Sequence, residues 1–248
     1  MRKARSVRRQ TSRHIRMQGI PAPVEVRHHP AAQRMTLRVS RTRHAVIVTL
    51  PMQCDLEQAG QFVSRHIDWV NARLGSLPEP VPFSDGATIP LRGIPHTVSF
   101  VGRMRGGRVV ALEETQAGRK LLVSGDIEHA PRRLQDWLMN QARSDLDDRV
   151  QFHAARLGVK PRSITIRDQV SRWGSCSTTG MLSFSWRLIL APPLILDYVA
   201  AHEVAHLAEM NHSSRFWALV RKTMPRMDEA ERWLKIYGMD LHRFGNSA

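Results

Sequence analysis

The chain has 248 residues, 42% of them hydrophobic, with 37 Lys and Arg against 22 Asp and Glu and a formal net charge of +15. That apolar fraction can bury a substantial core, and two cysteines in such a length do not build a disulfide framework, which argues against a secreted disulfide scaffold. No run approaches the length of a membrane span, and Arg8-Arg9 is not followed by an apolar stretch, so a cytoplasmic protein with no membrane partner is expected.

Residues 1–43 carry twelve Lys and Arg and a single acid, Glu25, and so hold eleven of the fifteen net charges. Residues 1–18 have seven cations, no acid and no apolar stripe. A basic disordered arm is therefore expected over 1–23, able to bind nucleic-acid phosphates without sequence preference. No aromatics interleave these arginines, which weighs against stacking on bases.

Residues 24–125 read as a strand-rich amino-terminal region with one helix. Leu37, Val39, Val46, Val48 and Leu50 alternate as in paired strands. Asp55 then starts an amphipathic helix carrying Phe62, Val63, Ile67, Trp69, Val70 and Leu74. Three prolines within 77–82 mark a linker, and short strands follow over 89–123. The remainder, 126–248, reads as a second domain. It opens with a long helix from Pro131 to about Leu157, in which Leu134, Leu138, Ala142, Leu146 and Val150 keep helical spacing. Strands are expected at 163–167 and 181–190, and closing helices at 215–222 and 227–236. The fold class is α+β, and no internal repeat is visible.

The chemistry lies in 202–212, His202-Glu203-Val204-Ala205-His206-Leu207-Ala208-Glu209-Met210-Asn211-His212. Residues four apart share a helix face, so His202 and His206 can present two imidazoles to one metal ion. Glu203 leans over the open side, where a carboxylate can take the proton of a metal-activated water. A catalytic zinc site keeps one position open and uses three protein ligands, and His212 is the candidate third. The long motif HExxHxxGxxH is matched in its histidines, but Glu209 stands where the glycine releases the chain from its helix. Asn211, which tolerates left-handed geometry, is the best local candidate for the turn, and Ser213 or Ser214 can cap the next helix.

Several flanking residues admit two readings. Tyr198, four before His202, can donate to a developing oxyanion, although packing under the site is favoured. Glu209 can brace a ligand or be solvated. Cys176 can be a metal ligand or an inhibitory thiol, with a buried structural thiol preferred. The strand before the metal helix can offer its edge to an extended peptide or simply support the helix.

Residues 171–186, SRWGSCSTTGMLSFSW, lead through Ala191-Pro192-Pro193 and Tyr198-Val199 to the HExxH segment, then Asn211-His212-Ser213 and Phe216-Trp217. This arrangement resembles the YgjP-like metallopeptidase family and, more distantly, is similar to the SprT-like proteases. The match is specific over about 160–220 and looser upstream, at Phe83-Ser84-Asp85-Gly86 and Leu91-Arg92-Gly93-Ile94-Pro95. The resemblance implies a zincin-like catalytic domain with His202, His206 and His212 on zinc and Glu203 as base. The expected function is a zinc-dependent metallopeptidase acting on a peptide or protein substrate. Two alternatives stand beside it: metal-dependent hydrolysis of a phosphoanhydride or other small electrophile, and a nucleic-acid-associated adaptor with a structural zinc.

Overall fold

The computed structural model of the chain describes residues 12–40, 45–103, 108–116, 118–169 and 171–245. Two compact units divide it, with the break between Glu79 and Pro80, inside the proline-rich 77–82 stretch.

The first unit contains β1 (Ser12–Ile15), β2 (Val24–His28), β3 (Thr36–Ser40), β4 (Ala45–Leu50), α1 (Leu56–Ser64) and α2 (Ile67–Gly75). Its sheet runs β1-β2-β4-β3, with β2 and β4 parallel and the outer pairs antiparallel. The alternation over 36–51 does form the β3–β4 pair. The first eleven residues of the expected arm lie outside the described residues, but Ser12–Ile15 is not disordered, because its backbone completes a ladder with Val24–Arg27. Asp55 caps α1, accepting from the Gln58 amide at 2.8 Å while the Gln58 side chain accepts from the Asp55 amide at 3.0 Å. The single expected helix is broken at Arg65, whose amide donates back to the Gln61 and Val63 carbonyls. Apolar spacing does not show the break, since the buried Ala59, Val63, Val70 and Leu74 keep a helical period through it.

The second unit opens with β5 (Thr88–Leu91), β6 (Ile94–Phe100), β7 (Val110–Thr115) and β8 (Gly118–Val123), in the order β5-β6-β8-β7. This sheet repeats the order and strand sense of the first, including a parallel central pair, although no repeat shows in the residues. The long helix α3 (Ala130–Leu157) follows, ending at Gly158 with φ of 66°, the left-handed cap that glycine adopts without steric cost. Ile89, Leu91, Val98, Leu121 and Val123 share one buried core with Leu134 and Leu138 of α3. A boundary at 125/126 would cut through that core, so β5 to β8 belong with the second unit and not with the amino-terminal region expected for them.

The rest of this unit consists of β9 (Ser163–Arg167), β10 (Gly174–Cys176), β11 (Met181–Ser185), α4 (Pro193–Ala205), α5 (Ser214–Thr223) and α6 (Met227–Tyr237). The expected strand 181–190 stops at Ser185, whose hydroxyl accepts from the Arg187 amide and starts a 3-10 turn over Trp186–Leu190. β11 lies between β10, antiparallel, and β9, parallel. No helix among the described residues is long and apolar enough to cross a membrane.

A polar knot ties the helices behind α4. The imidazole of His153 on α3, fully buried, places Nδ1 2.6 Å from the Thr223 hydroxyl of α5 and donates from Nε2 to Asp197 of α4, also at 2.6 Å. Arg149 Nε donates to the same carboxylate oxygen at 2.6 Å. Burial pushes the Asp197 carboxyl pKa up, but the hydrogen bonds from His153 and Arg149 outweigh it and hold the pKa below its ordinary value. Its stabilising contribution is therefore present above the ordinary carboxylate range and is lost as the pH falls below it. Asp197→Ala leaves a buried ring nitrogen without its acceptor and is expected to cost about 2–4 kcal/mol. Urea midpoints measured at neutral pH and near pH 3 test this, with the difference between parent and variant shrinking at the acid end.

Candidate metal centre

α4 begins with Pro193 in its first turn, where no amide proton is missed, and it is buried nearly all round through Ile195, Leu196, Val199, Ala200, Ala201, Val204 and Ala205. It thus runs through the core, and polar residues on it need partners. His202 and Glu203 stand on its last turn, and His206 is its cap, its amide donating to the His202 and Val204 carbonyls. The chain leaves the helix by tight turns, with the Leu207 amide on Val204, Ala208 on Ala205 and Glu209 on Ala205. Among the described residues the only non-glycine with positive φ is Arg92. Asn211 therefore does not supply the expected left-handed turn; a run of ordinary 3-10-like bonds replaces it, which explains how Glu209 can stand where the longer motif has glycine. Ser213 accepts from the Phe216 amide at 3.3 Å and caps α5, fixing His212 one residue before the cap.

The three imidazoles converge. Their ligand atoms all lie within 4.8 Å of one another, and His202 Nε2 faces His212 Nε2 at 3.1 Å. Phe216 stacks on His206 with centroids 4.4 Å apart, and Trp217 stacks on His212 at 5.6 Å. These walls hold the rings, and neither was singled out as a site residue by spacing. His206 Nδ1 lies 3.1 Å from the Glu209 carbonyl and must donate to it, leaving the Nε2 lone pair directed at the cluster. Glu209 therefore acts through its main chain, not through its carboxylate.

Burial, reinforced by His206 and His212, pushes the His202 pKa down to about 4. Burial likewise lowers that of His206, more than its bond to Glu209 raises it. Neutral imidazoles with lone pairs turned on one another fit a cation between them, since a metal takes the unprotonated ring. The buried His202 Nδ1 has no hydrogen-bond partner, and Nε2, which faces His212, is the ring nitrogen turned toward the cluster. The donor set, three imidazoles and no thiolate, suits a divalent ion that accepts nitrogen ligands.

Glu203 is 6% exposed, and burial raises its pKa to about 7 against the opposing charge of Arg172. It borders, with the three histidines, Arg172, Gly174 and Cys176, a cavity of about 560 Å³. Gly174 lies against Glu203: a Cβ built on that residue would lie 2.6 Å from Glu203 Cγ and Oε1. No local pattern links two residues 29 apart, and the sequence singled out Gly174 only as part of a family-like string.

Cys176 lines the cavity but is not among the converging donors. Burial, and then the Glu203 charge, raises its thiol pKa to about 11, so it is a neutral thiol, hydrogen-bonded to the Ser177 carbonyl at 3.4 Å. Tyr198 is buried, edge-on to His202 at 6.0 Å, and the cavity is lined without it. It packs against His202 and is not among the residues that line the cavity. The strand edge beside the cavity belongs to β10, because both edges of β11 are already paired.

Residues 33–237 match the family model described as YgjP-like, metallopeptidase domain. A solved structure, the metallopeptidase zymogen abylysin of Pyrococcus abyssi, is 24% identical with a TM-score of 0.35, over 38% of this chain and 95% of that one. No curated protein is a match.

Proposed function

We propose, from the premise that this chain belongs to the YgjP-like metallopeptidase family, that it is a zincin-like zinc peptidase with His202, His206 and His212 as ligands and Glu203 as general base. The observation that carries this reading is the convergence of three imidazoles beside a buried carboxylate at one cavity. Bound zinc would supply Lewis acidity toward the scissile carbonyl and toward a water. Glu203 would take the proton of that water on a carboxylate oxygen and deliver it to the leaving amine. The edge of β10, which has no strand partner among the described residues, would align an extended peptide by backbone hydrogen bonds. Membership of a peptidase family favours the peptide bond over a phosphoanhydride, and three converging donors without Cys176 would leave zinc with the open position that a structural site lacks. Cys54 and Cys176 are both unpaired, in keeping with the cytoplasm.

Zinc titration against a chelator tests the ligand set. His212→Ala is expected to weaken zinc binding more than the 10- to 100-fold that is typical of losing a partner behind the ligands. Glu209→Ala should leave it within about twofold, because only the Glu209 carbonyl is used. Equal zinc affinity in parent and His212→Ala would place the third ligand elsewhere.

The basic amino-terminal end is the proposed nucleic-acid contact. Deleting residues 1–18 would remove β1, so the informative truncation stops at residue 11 and takes five Lys and Arg. If the arm binds phosphates, the slope of log affinity against log salt for a random DNA duplex falls by about 3–5 on truncation. An unchanged slope removes the role.

A further inference from the structure

We propose that the groove between β3 and α2 is a docking site for an extended acidic peptide segment, which adds to β3 as a fifth strand and seats an apolar side chain against Trp69. The groove lies wholly within the first unit and stands apart from the catalytic reading.

β3 is an edge strand, with β4 on one side and no strand partner on the other among the described residues. Alongside it opens a cavity of about 390 Å³ lined by Leu37, Arg38, Val39, Trp69, Arg73 and Leu77. Successive side chains of a strand point to opposite faces, so a cavity over one face would meet 37 and 39 but not 38. All three consecutive residues line this one. It therefore runs along the strand's edge, where unpaired amides and carbonyls lie, and α2 forms its far wall. An edge strand beside a helix is an arrangement that accepts a peptide by strand addition, with backbone bonds for affinity and pockets for alternate side chains.

The lining chooses the occupant. Leu37, Val39 and Leu77 make an apolar floor, and Trp69, 45% exposed on a helix that otherwise buries Val70 and Leu74, stands over it. Arg38 and Arg73 are the charged residues of the lining, and neither is paired with a carboxylate among the described residues. Residues 1–79 carry 14 Lys and Arg against 5 Asp and Glu, a net charge of the sequence that also favours an anion. The Arg73 guanidinium sits 6.0 Å from the Trp69 ring centroid and occupies one face of the indole. That arrangement favours an apolar side chain packed at the ring over a nucleic-acid base sandwiched on it.

The test uses the full-length chain carrying Glu203→Gln, so that no probe is cleaved, and fluorescence anisotropy of a labelled decapeptide of alternating Glu and Val. The Glu-Val peptide should bind saturably and its Lys-Val counterpart should not. Arg38→Glu and Arg73→Glu, both at surface side chains, should each weaken binding at least tenfold, and Trp69→Ala should do the same with the circular dichroism spectrum unchanged. Strand addition uses the amides of alternate residues, so of two probes, one N-methylated at every Glu and one at every Val, one should lose binding and the other keep it. No saturable binding of the Glu-Val peptide, equal binding of both N-methylated probes, or indifference to the arginine reversals would overturn the proposal. So would a labelled oligothymidylate that binds in a Trp69-dependent way while the Glu-Val peptide does not, which would identify a nucleic-acid site instead.

Discussion

Glu203→Gln is expected to retain one zinc per chain and to lower peptide hydrolysis by about 10²- to 10⁴-fold, the range of a general base. The amide keeps the size of the carboxylate, so the close fit against Gly174 survives, and Glu203 is not one of the three converging ligands. What disappears is the group that accepts a proton. Metal content by atomic absorption and initial rates on a peptide library read the two properties separately; undiminished turnover in pure variant protein sinks the mechanism. Loss of zinc along with activity would instead make Glu203 part of the metal site. The parent should lose activity as the pH falls, because only ionised Glu203 can act as base. With burial as the main cause, its pKa stands near 7 and not in the usual carboxylate range, and a bound cation would move that acid limb lower.

Gly174→Ala is the second large effect, and it comes from shape alone. The new methyl would sit 2.6 Å from Glu203 Cγ and Oε1 and 2.9 Å from Cδ, closer than carbon atoms approach without something moving. Gly174 is held in register opposite Phe184, which is buried, so the Glu203 side chain yields before the strand does. A catalytic group displaced by about 1 Å costs about 10²-fold in rate, and that loss is expected in kcat with zinc affinity unchanged. The shorter Glu203→Asp side chain withdraws the carboxylate from the methyl. In that background Gly174→Ala should cost less than a third of what it costs in the parent, a non-additivity that general destabilisation would not produce. Strict additivity, or equal loss of zinc and activity, would assign Gly174 a purely structural part.

The readable parts of this protein are those whose causes lie within about four residues. His202 and His206 share a helix face because of helical pitch, Ser213 caps α5 because a hydroxyl reaches an amide three residues on, and the apolar stripe of α3 needs only a period of 3.6. The family-like string at 171–186 carried the expectation further, to a peptidase, and the family match agrees with it.

Elsewhere the decisive contacts are distant in the chain. β2 pairs in parallel with β4, and β9 with β11, across intervening strands, so no turn signal records either register. The helix expected after Asp55 breaks where its apolar period continues, and the core shared by β5 to β8 with α3 overrides the boundary expected at 125/126. At the candidate metal centre the histidines were legible, but their setting was not. The exit from α4 relies on main-chain bonds that any side chain permits, which is why a glutamate could replace the expected glycine and still leave its carbonyl for His206. The burial of Glu203 under Gly174 depends on β10 crossing the end of α4, a meeting of segments 29 residues apart. Local sequence determined which groups this protein can bring to a metal; packing decided how closely they are held and how far their protons are displaced, because both depend on what the rest of the chain excludes from water.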